Sequence, residues 1–246
     1  MACLETYDPI NTLKPVAPDV WIVDGPVIGM AYFGFRIPFT TRMTVVRLSD
    51  GSLWLHSPTP AEPALCEAID ALGPVRFLIA PNKIHYWWIG DWKSRYPEAT
   101  TWAAPGVAEH AAERFAGFDH ELDATAPETW RGEIDQVAVP GDYLTEIDFF
   151  HRPSRTLILT DFIENFEPGK VTCWRWRLLM KVGGVSDPDG KMPYDLRTTF
   201  LRHREAFKAA VETMLAWHPE RILLAHGRWY ANNAEAELRR ACRWVL

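Results

Sequence analysis

The stretch VRFLIAPNKIHYWWIGDWKSRYPEA, residues 75–99, decides the fold. It begins with a short apolar run, Val75–Ala80, which a proline closes and which predicts a buried strand. Polar side chains follow at once, because Asn82, Lys83 and His85 come directly after the strand. Functional side chains gather where buried strands lead into loops, so this strand end is the first candidate site.

Other apolar strands of the sequence end in the same way. The run TLILT at 156–160 is followed by Asp161, and RILLA at 221–225 is followed by His226. Two further strand ends carry polar residues, namely His56 and Asp142. We therefore expect several loops with chemically useful side chains to share one edge of the protein.

Strands and helices are mixed in both halves of the chain. The predicted helices cover 61–72, 170–182, 198–217 and 234–244, and a strand meander covers 136–160. The Asp50-Gly51 pair between two apolar runs is a hairpin signal. Apolar strands mixed with helices imply stacked layers, so we predict a single α/β domain over residues 1–246, with two sheets covered by helices.

The order of these strand ends resembles the metallo-β-lactamase superfamily, whose αββα sandwich carries metal ligands on loops at one edge of its sheets. Residues 75–99 look like its first signature, H-x-H-x-D-H after an apolar strand. Residues 139–163 look like the stretch from its second to its third ligand, and residues 221–229 look like its final Gly-His. The resemblance covers nearly the whole chain, and it is closest to a bacterial branch known only as a domain of unknown function.

The metal motif of that family is reduced in this chain. In the first signature only His85 is an imidazole, and Asn82 or Lys83 stands at the first histidine position. The Gly-His of the second motif is Gly141-Asp142. A normal two-metal site needs more imidazoles than remain, so the resemblance implies at most one metal ion.

The resemblance implies that His85, Asp161 and His226 form the catalytic group and bind the metal, with Asp142 as a fourth ligand. Two histidines and a carboxylate suit Zn, Fe(II) or Mn. Without a metal, the same side chains could act as an acid and a base. Each also has a structural interpretation, such as a loop histidine or a turn-capping aspartate.

Twelve tryptophans are a further signal of this sequence. Trp87 and Trp88 lie inside the first motif and Trp229 follows the last one. With Asn82, they are expected to line a substrate pocket for a small, apolar or aromatic molecule. Alternatively, these indoles fill the volume that the missing ligands leave.

Two functions fit these observations best, and a scaffold that acts through the Trp/Arg-rich helix is a third. The first is a hydrolase-like enzyme with a reduced metal site, and the alternative is a non-catalytic small-molecule-binding protein that has lost its metals. Whether the chain is an enzyme is therefore left undecided. No G-x-S-x-G, G-x-G-x-x-G or Walker A loop is present, so a serine hydrolase and a nucleotide-binding fold lack support.

Charge and cysteine usage predict the binding partners of the protein and its cellular compartment. Lys and Arg number 26 against 32 Asp and Glu, so nucleic acid is not an expected partner. The four cysteines form no C-x-x-C, and we expect reduced thiols in a cytoplasmic protein. The Trp/Arg-rich helix at 170–182 is expected to cover a site or to form a homodimer face, and membrane contact is not expected.

Overall fold

The computed structural model describes residues 3–32 and 35–246. Its strands are β1 (Leu13–Ala17), β2 (Val20–Asp24), β3 (Ile28–Tyr32), β4 (Phe35–Phe39), β5 (Arg42–Arg47), β6 (Leu53–His56), β7 (Val75–Ala80), β8 (Thr100–Ala103), β9 (His120–Glu121), β10 (Ile134–Val139), β11 (Glu146–His151), β12 (Thr156–Ile158) and β13 (Arg221–Leu223). Its helices are α1 (Pro63–Asp70), α2 (Ile89–Arg95), α3 (Val107–Ala111), α4 (Trp174–Gly183), α5 (Tyr194–Thr198), α6 (Arg204–Ala216) and α7 (Ala234–Cys242).

Two sheets carry the fold. One has seven strands in the order β1-β2-β5-β6-β7-β8-β9, and the other has four in the order β10-β11-β12-β13. Strands β3 and β4 form a separate hairpin. In the larger sheet β6 and β7 are parallel, and in the smaller sheet β12 and β13 are parallel. Parallel neighbours end at the same edge of a sheet, so the loops after each pair emerge together.

Apolar side chains from both sheets interlock between them. Leu55 and Ile79 from the larger sheet share one buried cluster with Phe149 and Ile158 from the smaller sheet. Helices α1 and α2 contact the larger sheet, and α6 packs on β10 of the smaller one through a second cluster that includes Phe207. The predicted αββα sandwich is therefore confirmed.

The strands were easier to predict than the helices. Strand β7 has the predicted bounds, and the Asp50-Gly51 hairpin joins β5 to β6. The helix predicted at 198–217 is wrong in its first part: α5 ends at Thr198, and Phe200 turns into the core against Phe207 before α6 begins. Strand β1 and the β3–β4 hairpin were not predicted.

The predicted helix at 170–182 begins later than expected. Val171 and Cys173 are extended because this stretch pairs with the N-terminal segment: Leu4 bridges Val171, and the amide of Thr172 donates to the carbonyl of Cys3. On α4 itself, large apolar side chains point into solvent, including Trp174 at 68% exposure. Across residues 3–32 and 35–246, no helix is both long enough and apolar enough to cross a membrane.

The expectation of four reduced thiols is wrong for two of the cysteines. Cys3 and Cys173 form a disulfide that ties the N-terminus to the start of α4. Cys66 and Cys242 are free and buried. Spacing along the chain could not reveal this bond, since its partners are 170 residues apart. The bond also removes the argument from reduced thiols that led us to expect a cytoplasmic protein.

Candidate metal centre

Three side chains meet at the edge where the two sheets adjoin: His85, Asp161 and His226. We call these three residues the metal group. Nε2 of His85 lies 3.1 Å from Nε2 of His226. The Asp161 carboxylate is 3.2 Å from the first of these nitrogens and 3.3 Å from the second. One ligand atom from each residue lies within 4.8 Å of the others, and all three are largely buried. The structure thus brings together the three residues that the resemblance selected.

The topology explains why residues so distant in sequence meet. His85 follows β7 of the larger sheet, whereas Asp161 and His226 follow the parallel pair β12 and β13 of the smaller sheet. Because the carboxyl ends of these strands share one edge of the sandwich, their loops face one another across the seam between the sheets. Each sheet therefore contributes at least one nitrogen ligand atom.

The orientation of His226 is set by its second ring nitrogen. Nδ1 lies 2.5 Å from the backbone carbonyl of Thr40, which can only accept a hydrogen bond. Nδ1 must therefore carry a proton, and in the neutral ring Nε2 keeps a lone pair that faces the group. Gly227 allows the next turn, since its φ is +82° and a Cβ there would lie 2.1 Å from the carbonyl oxygen of Asn165.

His85 is held in a similar way by a hydroxyl group. Its Nδ1 lies 2.7 Å from Oγ of Ser57, the residue that follows β6. Ser57 has a φ of +50°, a left-handed conformation that is uncommon outside glycine. Such local strain persists where surrounding structure enforces it, often at functional sites.

A buried polar network supports Asp161 from behind. The side-chain amide of Asn82 donates to Oδ2 of Asp161 at 2.7 Å and also lies 3.1 Å from Oε2 of Glu146. Glu146 accepts the backbone N–H groups of residues 160, 161 and 162. The carboxylate of Glu146 thus fixes the turn that carries Asp161.

Charges within the group shift its pKa values in opposite directions. Burial alone lowers the pKa of His85, but the Asp161 carboxylate more than offsets this and the pKa lies above its usual value. Burial alone raises the pKa of Asp161, yet the two imidazoles hold it well below its usual range. The carboxylate is therefore ionised, and it attracts positive charge to the two facing nitrogens.

Two more carboxyl groups lie near this network. Burial raises the pKa of Asp148 well above its usual value, and the charge of Glu146 adds to the effect. Burial likewise raises the pKa of Glu164, with a further contribution from Asp161. Burial thus favours the neutral form of both carboxyl groups, which limits the negative charge behind Asp161.

The structure does not bring Asp142 into the metal group, so its prediction as a fourth ligand is corrected. Its carboxylate is 41% exposed and pairs with Nε2 of His203 at 3.0 Å. Arg202 lies 3.6 Å from its other oxygen. The turn after β10 therefore places a surface ion pair where the resembling family has a histidine.

The predicted pocket residues lie in different surroundings. Asn82 is buried in the network behind Asp161. Trp87 lies under the guanidinium of Arg114 and beside Trp88. Trp229 lines a cavity of about 490 Å³ between the N-terminal strands and the loop after β13, whose lining includes none of the three metal-group residues. A pocket formed jointly by these indoles and the metal group stays a prediction.

Besides Thr40, four residues of the site were not predicted. Ser57 and Glu146 contact the group directly or through Asn82, and the rings of Phe39 and Phe166 lie 5.2 Å and 6.3 Å from that of His226. A weak signal existed for Ser57, because it follows a strand that ends in His56. The others depend on contacts between distant segments.

Comparison with known proteins gives one family and one fold. The family described as "Domain of unknown function (DUF4336)" matches residues 19–176. The chain is also similar in structure to the DIM-1 metallo-β-lactamase exposed to ceftazidime, with a TM-score of 0.63, 13% identity and coverage of 100% of this chain and 98% of that one. No curated protein matches the chain.

Two further solved structures are similar at comparable levels. The metallo-β-lactamase FIM-1 from Pseudomonas aeruginosa, in its mono-zinc form, has a TM-score of 0.60 and 13% identity, with coverage of 95% of this chain and 94% of that one. The metal-soaked Flv1 flavodiiron core from Synechocystis sp. PCC6803 has a TM-score of 0.62 and 11% identity, with coverage of 99% and 61%. At these identities the likeness establishes the fold alone.

Proposed function

Because this chain belongs to the DUF4336 family and has the metallo-β-lactamase fold, we propose that it is a hydrolase-like enzyme with one divalent metal ion. His85, Asp161 and His226 would hold the ion. The observation that carries the proposal is the 3.1 Å approach of two imidazole nitrogens beside an ionised carboxylate.

The spacing of the donor atoms fits a metal ion. Ligand atoms around a tetrahedral ion with bonds of about 2.0–2.1 Å lie about 3.3 Å apart, and adjacent ones around an octahedral ion lie about 3.0 Å apart. The 3.1 Å between the two imidazole nitrogens lies between these values, and the Asp161 carboxylate approaches them at similar distances, 3.2 Å from Oδ2 to His85 and 3.3 Å from Oδ1 to His226. Two imidazoles and a carboxylate suit Zn, Fe(II) or Mn and leave coordination positions open.

The surrounding residues would fix the ligands in place. A carbonyl partner on the distal nitrogen is the usual orienting contact of a metal-binding histidine, and Thr40 supplies one to His226. Ser57 would serve His85 in the same way, and Asn82 and Glu146 would hold Asp161. A divalent ion at such a site lowers the pKa of water toward about 7 and polarises carbonyl or phosphoryl groups.

Aromatic rings beside the group support a small, apolar or aromatic substrate. Phe39 and Phe166 pack near His226 and restrict water there. In this proposal Trp87, Trp88 and Trp229 extend the apolar wall of the pocket. The tight burial of the group favours a second candidate, a metal-free protein that only binds such a molecule, because the metal-group side chains are at most 8% exposed.

Metal analysis tests the proposal. Protein purified anaerobically and without chelators is expected to hold about one equivalent of Zn, Fe or Mn. His226→Ala and Asp161→Ala should lose it, whereas His203→Ala, which removes a surface histidine with its own carboxylate partner, should keep it. Less than about a tenth of an equivalent in the unchanged chain would overturn the metal proposal in favour of the binding protein.

A further inference from the structure

The outward face of α4 is apolar and cationic at once. Trp174, Leu178 and Val182 are 68%, 54% and 65% exposed, and their i, i+4, i+8 spacing places them on one ridge of the helix. Arg175 and Lys181 lie beside this ridge and are exposed as well. We call this set the α4 ridge. Exposed apolar patches of this kind mark interaction sites.

The charge of this segment is opposite to that of the whole chain. Residues 168–186 contain four Lys or Arg and no Asp or Glu, although the chain has a net charge of −6. The flanking acids are engaged elsewhere: Glu167 hydrogen-bonds Tyr7, and Asp187 pairs with Asn165 and Arg228. The α4 ridge is therefore a local positive surface with an indole at its start.

The fold holds this face outward. The disulfide fixes Cys173, immediately before Trp174, to the N-terminal segment. On the inner side of the helix, Met180 and Trp176 pack into a cluster with Phe166 and Phe39. Because the inner contacts and the disulfide anchor the helix, the apolar ridge cannot simply rotate into the core.

We propose that the α4 ridge docks on an anionic phospholipid surface. A helix with Trp and Leu on its exposed ridge and Lys or Arg beside them buries the apolar side chains at the headgroup boundary, where the cations meet lipid phosphates. A second copy of the chain fits less well. Self-pairing would bring the cations of two α4 ridges together with no acid on either helix to compensate.

The docking surface adjoins the metal group. Phe39 and Phe166 belong to the cluster under α4 and also pack beside the ring of His226. The cluster under α4 thus connects the helix that carries the α4 ridge to the aromatic wall of the site. Docking itself does not depend on a metal ion, so it can be tested whether or not the metal proposal holds.

Vesicle co-sedimentation of the oxidised full chain tests the proposal. Vesicles of phosphatidylcholine with roughly 30% phosphatidylglycerol should bind the chain, and vesicles of phosphatidylcholine alone should bind at least about tenfold less. Binding should weaken when the salt concentration rises from about 50 mM to about 500 mM. Equal binding to both vesicle types would contradict the role of the cations.

Matched variants separate this face from the overall charge. Arg175→Glu with Lys181→Glu should lower binding by at least about 25-fold, at about fivefold for each cation lost. Arg131→Glu with Arg202→Glu changes the net charge equally at exposed positions outside α4 and should have little effect. An equal loss of vesicle binding in the two double variants would overturn the proposal.

The apolar side chains are tested in the same assay. Trp174→Ser with Leu178→Ser should abolish binding, whereas Tyr143→Ser with Leu201→Ser, which removes two other exposed apolar side chains, should preserve it. Light scattering of each sample gives the oligomeric state. A monomer that binds neither vesicle type overturns the proposal, and so does a dimer without vesicle binding that Leu178→Ser dissociates, which would assign the face to a second copy.

Discussion

The side-chain amide of Asn82 donates a hydrogen bond of 2.7 Å to Oδ2 of Asp161 and so joins the loop after β7 to the loop after β12. The same amide lies 3.1 Å from Glu146, and its carbonyl accepts the backbone N–H of Ile84. One buried amide thus separates two carboxyl groups and shapes the loop that carries His85. The absence of charge on the Asn82 amide matters as much as its hydrogen bonds, because the amide lies between two carboxyl groups.

Replacing this amide by an acid should therefore destabilise the protein. Asn82→Asp places a third carboxyl group against Asp161 and Glu146 in a buried site, and we expect a loss of about 3 kcal/mol in the free energy of unfolding. Urea unfolding measures it. Asn232→Asp, at an exposed position, makes the same chemical change and should cost less than about 0.5 kcal/mol. An unchanged midpoint of urea unfolding for Asn82→Asp would contradict the stabilising role of this hydrogen-bond network.

The contact between Ser57 and His85 predicts an effect on metal affinity. Ser57→Ala removes the partner of Nδ1 and should weaken zinc binding by about 10-fold or more, because distal partners orient the ligating ring. Competition with a chromogenic chelator measures the affinity. Ser154→Ala is the matched control, since Ser154 makes the same 2.7 Å contact with His151 away from the metal group. Equal effects of the two variants would assign Ser57 a structural role only.

His56 predicts acid sensitivity. Burial lowers the pKa of this histidine to about 3, and its Nε2 has no hydrogen-bond partner within residues 3–32 and 35–246. The unfolded chain takes up a proton below about pH 6.5 while the folded one does not, so stability falls as the pH drops from about 6.5 toward 3. By pH 4 the cost from this group reaches about 3 kcal/mol.

The variant His56→Phe should remove that slope. Phenylalanine keeps an aromatic ring against Trp54 and Phe149 but cannot be protonated. Denaturant unfolding between pH 7.5 and pH 4 should show a flatter dependence for the variant, with the largest difference at the acid end. Parallel curves for the two proteins would mean that His56 is protonated in the folded state.

The disulfide predicts redox-dependent stability. In the chain-entropy description, a crosslink across a separation of 170 residues stabilises by up to about 5 kcal/mol. Dithiothreitol should lower the melting temperature of the unchanged protein. The double variant Cys3→Ser with Cys173→Ser should have a lower melting temperature without dithiothreitol, and dithiothreitol should not change it. A melting temperature that the reductant leaves unchanged in both proteins would contradict the bond.

The strand ends were predictable, and the contacts across the seam were not. His85, Asp161 and His226 could be selected because each follows an apolar strand, and hydrophobic runs report strands directly. Glu146 could not be selected, and Ser57 had only the weak signal of its place after a strand, since both roles depend on side chains brought from other strands. Asp142 was wrong for the same reason: its partner His203 precedes α6, and no local pattern connects the two.

The crosslink between Cys3 and Cys173 also changes the connectivity of the molecule. It closes the first two thirds of the chain into a covalent ring, which contains the whole larger sheet and the loop of His85. A protease that cuts any single loop of this ring opens it but releases no fragment. Both ends of such a cut stay attached to the part of the chain that carries His226 until the sulfur bond is reduced.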